Sequence, residues 1–128
     1  MNITFTNLQH KVPIPAAKIK TSVHKAFRKL RLKGSGLSLV FVGEGRMRGI
    51  NKKYLGHDFV TDVITFDHGE IIICPAVAAR NAEHYGNTVG KELALYVVHG
   101  ILHLAGYDDR TPQGIQRMRA KEQELLER

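Results

Sequence analysis

Cysteine, tryptophan and long apolar runs are what this chain lacks: it has one cysteine, Cys74, no tryptophan and four prolines. A single cysteine excludes a disulfide framework and a Cys-rich zinc knuckle, and it fits a reducing compartment. No apolar run reaches the ~18 residues of a membrane span. The opening stretch, Met1-Asn2-Ile3-Thr4-Phe5, has no basic segment leading into an apolar one, so no secretory signal and no membrane partner are expected, and the expected location is cytoplasmic. Acid is also scarce, with Asp+Glu 12 against Lys+Arg 19, a net charge of +7. What is present is ordinary for a globular protein: 43% hydrophobic and 24% charged residues, which excludes disorder. The 128 residues predict one domain, 1–128, with enough chain for a core that needs no staples.

The positive charge is concentrated. Residues 14–33 contain Lys18, Lys20, Lys25, Arg28, Lys29, Arg31 and Lys33 and no acid. The same stretch carries Ile19, Val23, Ala26, Phe27 and Leu30 on one helical face, with most of the basic groups opposite. Pro13 and Pro15 punctuate its start, and Gly34-Ser35-Gly36 is expected to end it. Such a surface suits a polyanion such as RNA, bound without sequence preference; it equally suits a helix that is merely solvated.

Around it the pattern predicts strands at 2–6, 37–42, 63–66 and 70–74, with Asp67-His68-Gly69 as a hairpin turn. Helices are predicted at 44–54, 75–85 and about 91–105, and from Pro112 to the end with Thr111 as N-cap. Gly86-Asn87 and Gly90 are expected to bracket a loop. The order β, α, β, α, β, β, α, α, α implies an α+β fold: a small mixed β-sheet of about four strands with helices packed around it.

The chemistry lies in His99-Gly100-Ile101-Leu102-His103-Leu104-Ala105-Gly106-Tyr107-Asp108-Asp109. Histidines four apart on a helix stand one turn from each other and reach a single ion. Gly106 then turns the chain, and carboxylates return. Two rigid ligands and one from a loop leave an open position, the arrangement of a catalytic divalent ion, Zn²⁺ being the expected one. Paired helical histidines also occur as hydrogen-bonded core residues; the glycine and the returning acids favour the metal. Glu92 and Tyr96 share the histidine face further up the helix. Histidines 10, 24, 57, 68 and 84 have no such context and are expected at the surface. A zinc protease would carry glutamate where Gly100 stands, so peptide hydrolysis by that route is disfavoured.

These residues resemble the signature of the YbeY family, His-Gly-x-Leu-His-Leu-x-Gly-Tyr-Asp-His. Three further pieces match the family in order: Ile50-Asn51 with Tyr54, Thr61-Asp62-Val63-Ile64-Thr65-Phe66, and Gly69-Glu70-Ile71-Ile72-Ile73-Cys74. The match spans about residues 44–110. The resemblance implies an α+β, metal-dependent, single-strand-specific endoribonuclease that acts in ribosomal RNA maturation, at the 3′ end of 16S ribosomal RNA, and in ribosome quality control. Its partners would be single-stranded RNA and the ribosome or its small subunit. Two positions depart from the family. Asp109 stands where the third metal-ligating histidine is expected; aspartate also ligates zinc, but its charge lowers the Lewis acidity of the ion and shifts preference toward harder ions. Phe59-Val60 stand where the family has Arg-Pro, which predicts weaker activity.

The expected site is therefore His99, His103 and Asp109 on the ion, with His99 and Asp108 in catalysis and Asp108 or Glu92 orienting a ligand histidine. Lys18, Lys25, Arg28, Lys29, Arg46, Arg48, Lys52 and Lys53 would contact RNA, with Tyr54 and Phe59 stacking on bases. The rival reading is a non-catalytic ribosomal RNA- or ribosome-binding assembly factor that keeps the fold and a metal.

Overall fold

Strand alternation sets the layers. In the computed structural model, which describes residues 2–34 and 36–126, β1 (Asn2–Asn7), β2 (Gly36–Phe41), β3 (Val63–Phe66) and β4 (Glu70–Ile73) form one sheet in the order β1-β2-β4-β3. The β1–β2 and β2–β4 pairs are parallel; β3–β4 is an antiparallel hairpin. Its turn needs Gly69, at φ 99°, a conformation that side chains resist. The mixed four-stranded α+β sheet is the one the sequence pattern implied.

Leu37, Leu39, Phe41, Ile71 and Ile73 point to one face, where they bury with Ile19, Val23 and Ala26 of α1 (Ala16–Leu30) and with α4 (Val89–Leu104). Each fully buried side chain of this size contributes about 1.5–3 kcal/mol. Ile64 and Ile72 point to the other face and bury with Met47 of α2 (Glu44–Leu55). The remaining helices, α3 (Pro75–Tyr85) and α5 (Pro112–Leu126), pack on α4, which also contacts α1, β3 and β4. The histidine-bearing helix is thus the central one. Gly100 lets it approach the sheet: a Cβ there would lie 2.8 Å from Ile71 Cδ1 and 2.9 Å from Thr65 Oγ1. A protease-type glutamate would have no room at this position.

Two boundaries stand apart from the sequence pattern. The basic stretch stops being helical at Leu30, short of Lys33. Arg31 takes the left-handed conformation and Leu32 N–H returns to the Phe27 carbonyl at 3.0 Å, closing the helix before the glycines. Ser35, in the expected stop, lies outside the described residues, as do Glu127 and Arg128 at the end of the last expected helix. Gly90 belongs to the first turn of α4 and not to a loop, because Thr88 Oγ1 accepts from Lys91 N–H at 3.2 Å and starts the helix earlier. Such a cap contributes about 1 kcal/mol. Thr111 caps α5 as expected, accepting from Gly114 N–H at 2.9 Å. Among the described residues no helix is long and apolar enough to cross a membrane.

Candidate metal centre and its cleft

His99 and His103 stand on consecutive turns near the end of α4, their rings edge to face with centroids 4.7 Å apart. Their Nε2 atoms are 3.1 Å apart. After Leu104 the chain turns back on itself: Tyr107 N–H bonds the Leu102 carbonyl at 3.0 Å, and Gly106 adopts φ 99°. This return brings Asp109 Oδ2 to 3.7 Å from His99 Nε2 and 3.9 Å from His103 Nε2. The three ligand atoms lie within 4.8 Å of one another.

These separations fit a divalent ion. Zinc bonds of about 2.0–2.1 Å in a tetrahedron set ligand atoms roughly 3.3 Å apart. The observed 3.1, 3.7 and 3.9 Å need only a small inward movement of Asp109, which sits on a loop and is half-exposed. Two nitrogens and one carboxylate oxygen are also the donor set of a catalytic rather than a structural zinc site.

A residue that sequence reasoning missed completes the arrangement. Glu122, one-seventh exposed on α5, accepts from His99 Nδ1–H at 2.5 Å. That bond fixes the tautomer and leaves the Nε2 lone pair facing His103 and Asp109, the usual role of a carboxylate behind a metal-binding histidine. Burial opposes protonation of His99, yet the Glu122 hydrogen bond and the charges of Glu122, Asp109 and Asp62 outweigh it and raise the pKa above the ordinary 6.5.

The two residues expected to orient a histidine do other things. Glu92 is buried and accepts from Asn87 Nδ2 at 3.3 Å. Asp108 accepts from Arg110 N–H at 3.1 Å, holding the loop that carries Asp109. That loop packs closely on α5: a Cβ at Gly114 would fall 2.6 Å from the Asp108 carbonyl oxygen. Tyr96 faces the same space as His99; its hydroxyl accepts from Asn81 Nδ2 at 2.6 Å, and burial raises its pKa to about 12.

The cluster opens into a cleft of about 1140 Å³ between β3, the end of α4, the 106–110 loop and α5. Asp62, Asp67 and Asp108 line it with His99, His103, Asp109 and Glu122, and Leu55 and Ile115 give it apolar wall. Asp62 Oδ1 accepts from Val63 N–H at 2.7 Å at the start of β3. The only lysines or arginines lining this cleft, among the described residues, are Arg110 and Arg119. The cations singled out in the sequence lie elsewhere. Lys18, Arg28 and Lys29 are exposed on α1, and Lys25 is half-buried there; none lines the cleft. Arg46, Arg48, Lys52 and Lys53 are exposed on α2, across the sheet, and Arg48 pairs with Asp58 at 2.7 Å. All five histidines outside the motif are exposed, as expected.

Phe59 is 54% exposed, with His57 stacked on it at 5.4 Å between ring centroids. Its carbonyl accepts from the buried Asn51 Nδ2 at 3.0 Å, so the Ile50-Asn51 piece of the pattern serves to anchor this loop. Val60 packs into the core between α2 and the sheet.

The family profile described as Endoribonuclease YbeY matches residues 4–128. This chain belongs to the YbeY family. A YbeY relative from Elusimicrobium minutum, named Endoribonuclease YbeY, is 40% identical over 84% of this chain and 87% of its own length. One of the same name from Pelotomaculum thermopropionicum is 34% identical over 100% of this chain and 97% of its own. The solution structure of TM1509 from Thermotoga maritima superposes with a TM-score of 0.70 at 28% identity, covering 97% of this chain and 86% of that one. The YbeY profile extends well beyond residues 44–110, where the sequence patterns are clearest, into α1 and into α5, the helix that supplies Glu122.

Proposed function

We propose that this chain is a metal-dependent endoribonuclease that cleaves single-stranded RNA. The convergence of His99, His103 and Asp109 within 4.8 Å at the wall of an open cleft carries this reading, supported by the name of the family. His99, His103 and Asp109 hold one divalent ion, Zn²⁺ by the donor set. Such an ion supplies polarisation of a phosphoryl oxygen and a lowered water pKa. Glu122 holds the His99 ring in the binding tautomer. Asp108 ties down the loop that presents Asp109. Glycine at position 100 removes the helix-borne base of a protease, which supports a phosphodiester over a peptide as substrate.

Single-strand preference is supported by exposed aromatics: Tyr54 is 56% and Phe59 54% exposed, flanking in sequence the cleft-lining Leu55. Base–aromatic stacking contributes about 1–3 kcal/mol per base and requires unpaired bases. The basic groups of α1 and α2, Lys18, Lys25, Arg28, Lys29, Arg46, Arg48, Lys52 and Lys53, attract the RNA backbone from outside the cleft. The physiological substrate we propose is ribosomal RNA at the 3′ end of 16S, met on the small ribosomal subunit in the cytoplasm, in maturation and ribosome quality control; the family resemblance supports it.

The second reading is an RNA-binding assembly factor without catalysis, favoured by Phe59 in place of the family's arginine. Purified, zinc-loaded protein incubated with single-stranded RNA separates the two. Cleavage that His99→Ala abolishes, with the variant still folded, establishes the nuclease; binding without cleavage establishes the factor.

A further inference from the structure

The cleft has a charge composition opposite to that of the chain. Five carboxylates line it, those of Asp62, Asp67, Asp108, Asp109 and Glu122, on a protein whose net charge is +7. A cleft so acidic holds a cation well; a divalent ion would offset only two of these five charges, so a nuclease using it needs further positive groups inside to meet a polyanion. The basic groups of α1 and α2 do not line it, and exposed charges are screened beyond about 10 Å at 0.1 M salt.

Arg110 and Arg119 do line it. Arg110 follows the ligand Asp109 directly. Arg119 lies one helical turn before Glu122 on α5, on the face that also presents Ile115 to the cleft. Both are exposed at its wall, and although carboxylates line the same cleft, neither guanidinium has an ion-pair or hydrogen-bond partner among the described residues. A planar guanidinium grips a phosphate through two parallel N–H···O bonds, which a lysine does not reproduce.

Building on the endoribonuclease reading, we propose that Arg110 and Arg119 are the phosphate-binding residues of this cleft, seating the RNA backbone next to the metal centre. They place on α5 and its leading loop the positive charge that the rest of the cleft wall lacks. The acidic cleft then discriminates: it accepts a chain only where these two arginines can each take a phosphate.

The test compares wild type with Arg110→Gln/Arg119→Gln, both zinc-loaded, and with Arg28→Gln/Lys29→Gln on α1. Binding of a fluorescein-labelled oligouridylate is measured by anisotropy across a range of potassium chloride concentrations, beside metal content and melting temperature. The expected result for the cleft variant is unchanged metal content, weaker binding, and a log affinity–log salt slope smaller by about 1.4, from ~0.7 for each single-strand phosphate that is no longer neutralised. Arg119→Lys alone is expected to keep the salt slope yet bind more weakly, and it serves as the measurement if the double variant does not fold. Unchanged affinity and slope in the cleft variant overturn the proposal. So does tighter metal binding with an unchanged slope, which would make the arginines mere neutralisers of the carboxylates. Because binding is read without turnover, a wild type that binds but never cleaves would sink the nuclease reading and leave the arginine result standing.

Discussion

Helix α1 and the cleft between α4 and α5 solve opposite electrostatic problems. On α1 the charge is dense, of one sign, exposed, and spread along 15 residues. In the cleft acids outnumber bases, yet three side chains converge on one point and a fourth, Glu122, holds one of them, His99, in place. A field needs only charge count and exposure; chemistry needs groups from separate segments brought within a few ångströms. The sequence displays the first openly, since density along the chain is density in space on a single helix. It displays the second only where the converging groups happen to be neighbours.

The sharpest way to break the contrast is to remove a converging group. His99→Ala should lose the ion and all cleavage while RNA binding through the surface cations persists, as followed by elemental analysis, RNA cleavage and anisotropy. Retained cleavage would mean that the chemistry lies outside the cleft.

Glu122→Gln should be less severe, with metal affinity reduced roughly 10–100-fold, the usual cost of losing an orienting carboxylate. It carries a pH signature as well. In metal-free protein His99 titrates above its ordinary 6.5, so the stability it contributes is present in full below about that pH and is lost as pH rises through the raised value. Protons and metal compete for Nε2, so metal uptake should weaken as pH falls through that same raised value. The variant removes the strongest raising influences on His99, and NMR titration should find its pKa lower than in wild type. An unchanged His99 titration would contradict the Glu122 contact.

Much of the frame was legible. The spans Val63–Phe66 and Pro75–Tyr85 follow directly from a β-branched run between turn residues and from a proline placed to start a helix. His99, His103 and Asp109 were legible because helix periodicity and one glycine bring them together within eleven residues. Glu122 was not, because its contact with His99 spans 23 residues and its own neighbourhood, Lys121-Glu122-Gln123-Glu124, has the composition of a solvated face. Arg119 was hidden in the same way. The basic residues of α1 were legible as charge, but that none of them lines the cleft depends on how α1 packs beside α4 on their shared face of the sheet. Gly100 was read by what it replaces; its reason, direct contact of α4 with Ile71 and Thr65, needs the packed sheet.

The smallest effect is expected at α1. Neutralising Lys18, Arg28 and Lys29 should lower RNA affinity and reduce the salt slope by up to about 0.7 for each phosphate these groups neutralise. The single-turnover cleavage rate at saturating protein should stay unchanged. A fall in that rate would move α1 into the chemistry and erase the distinction between the two regions.

The central claim is that His99, His103 and Asp109 hold one ion. Elemental analysis of the purified protein beside Asp109→Asn tests it most directly. The account predicts a single divalent metal per chain in the wild type and a site that is weakened or empty in the variant, with the fold intact by circular dichroism. Full occupancy in both proteins, or no metal in either after loading with zinc, would contradict it.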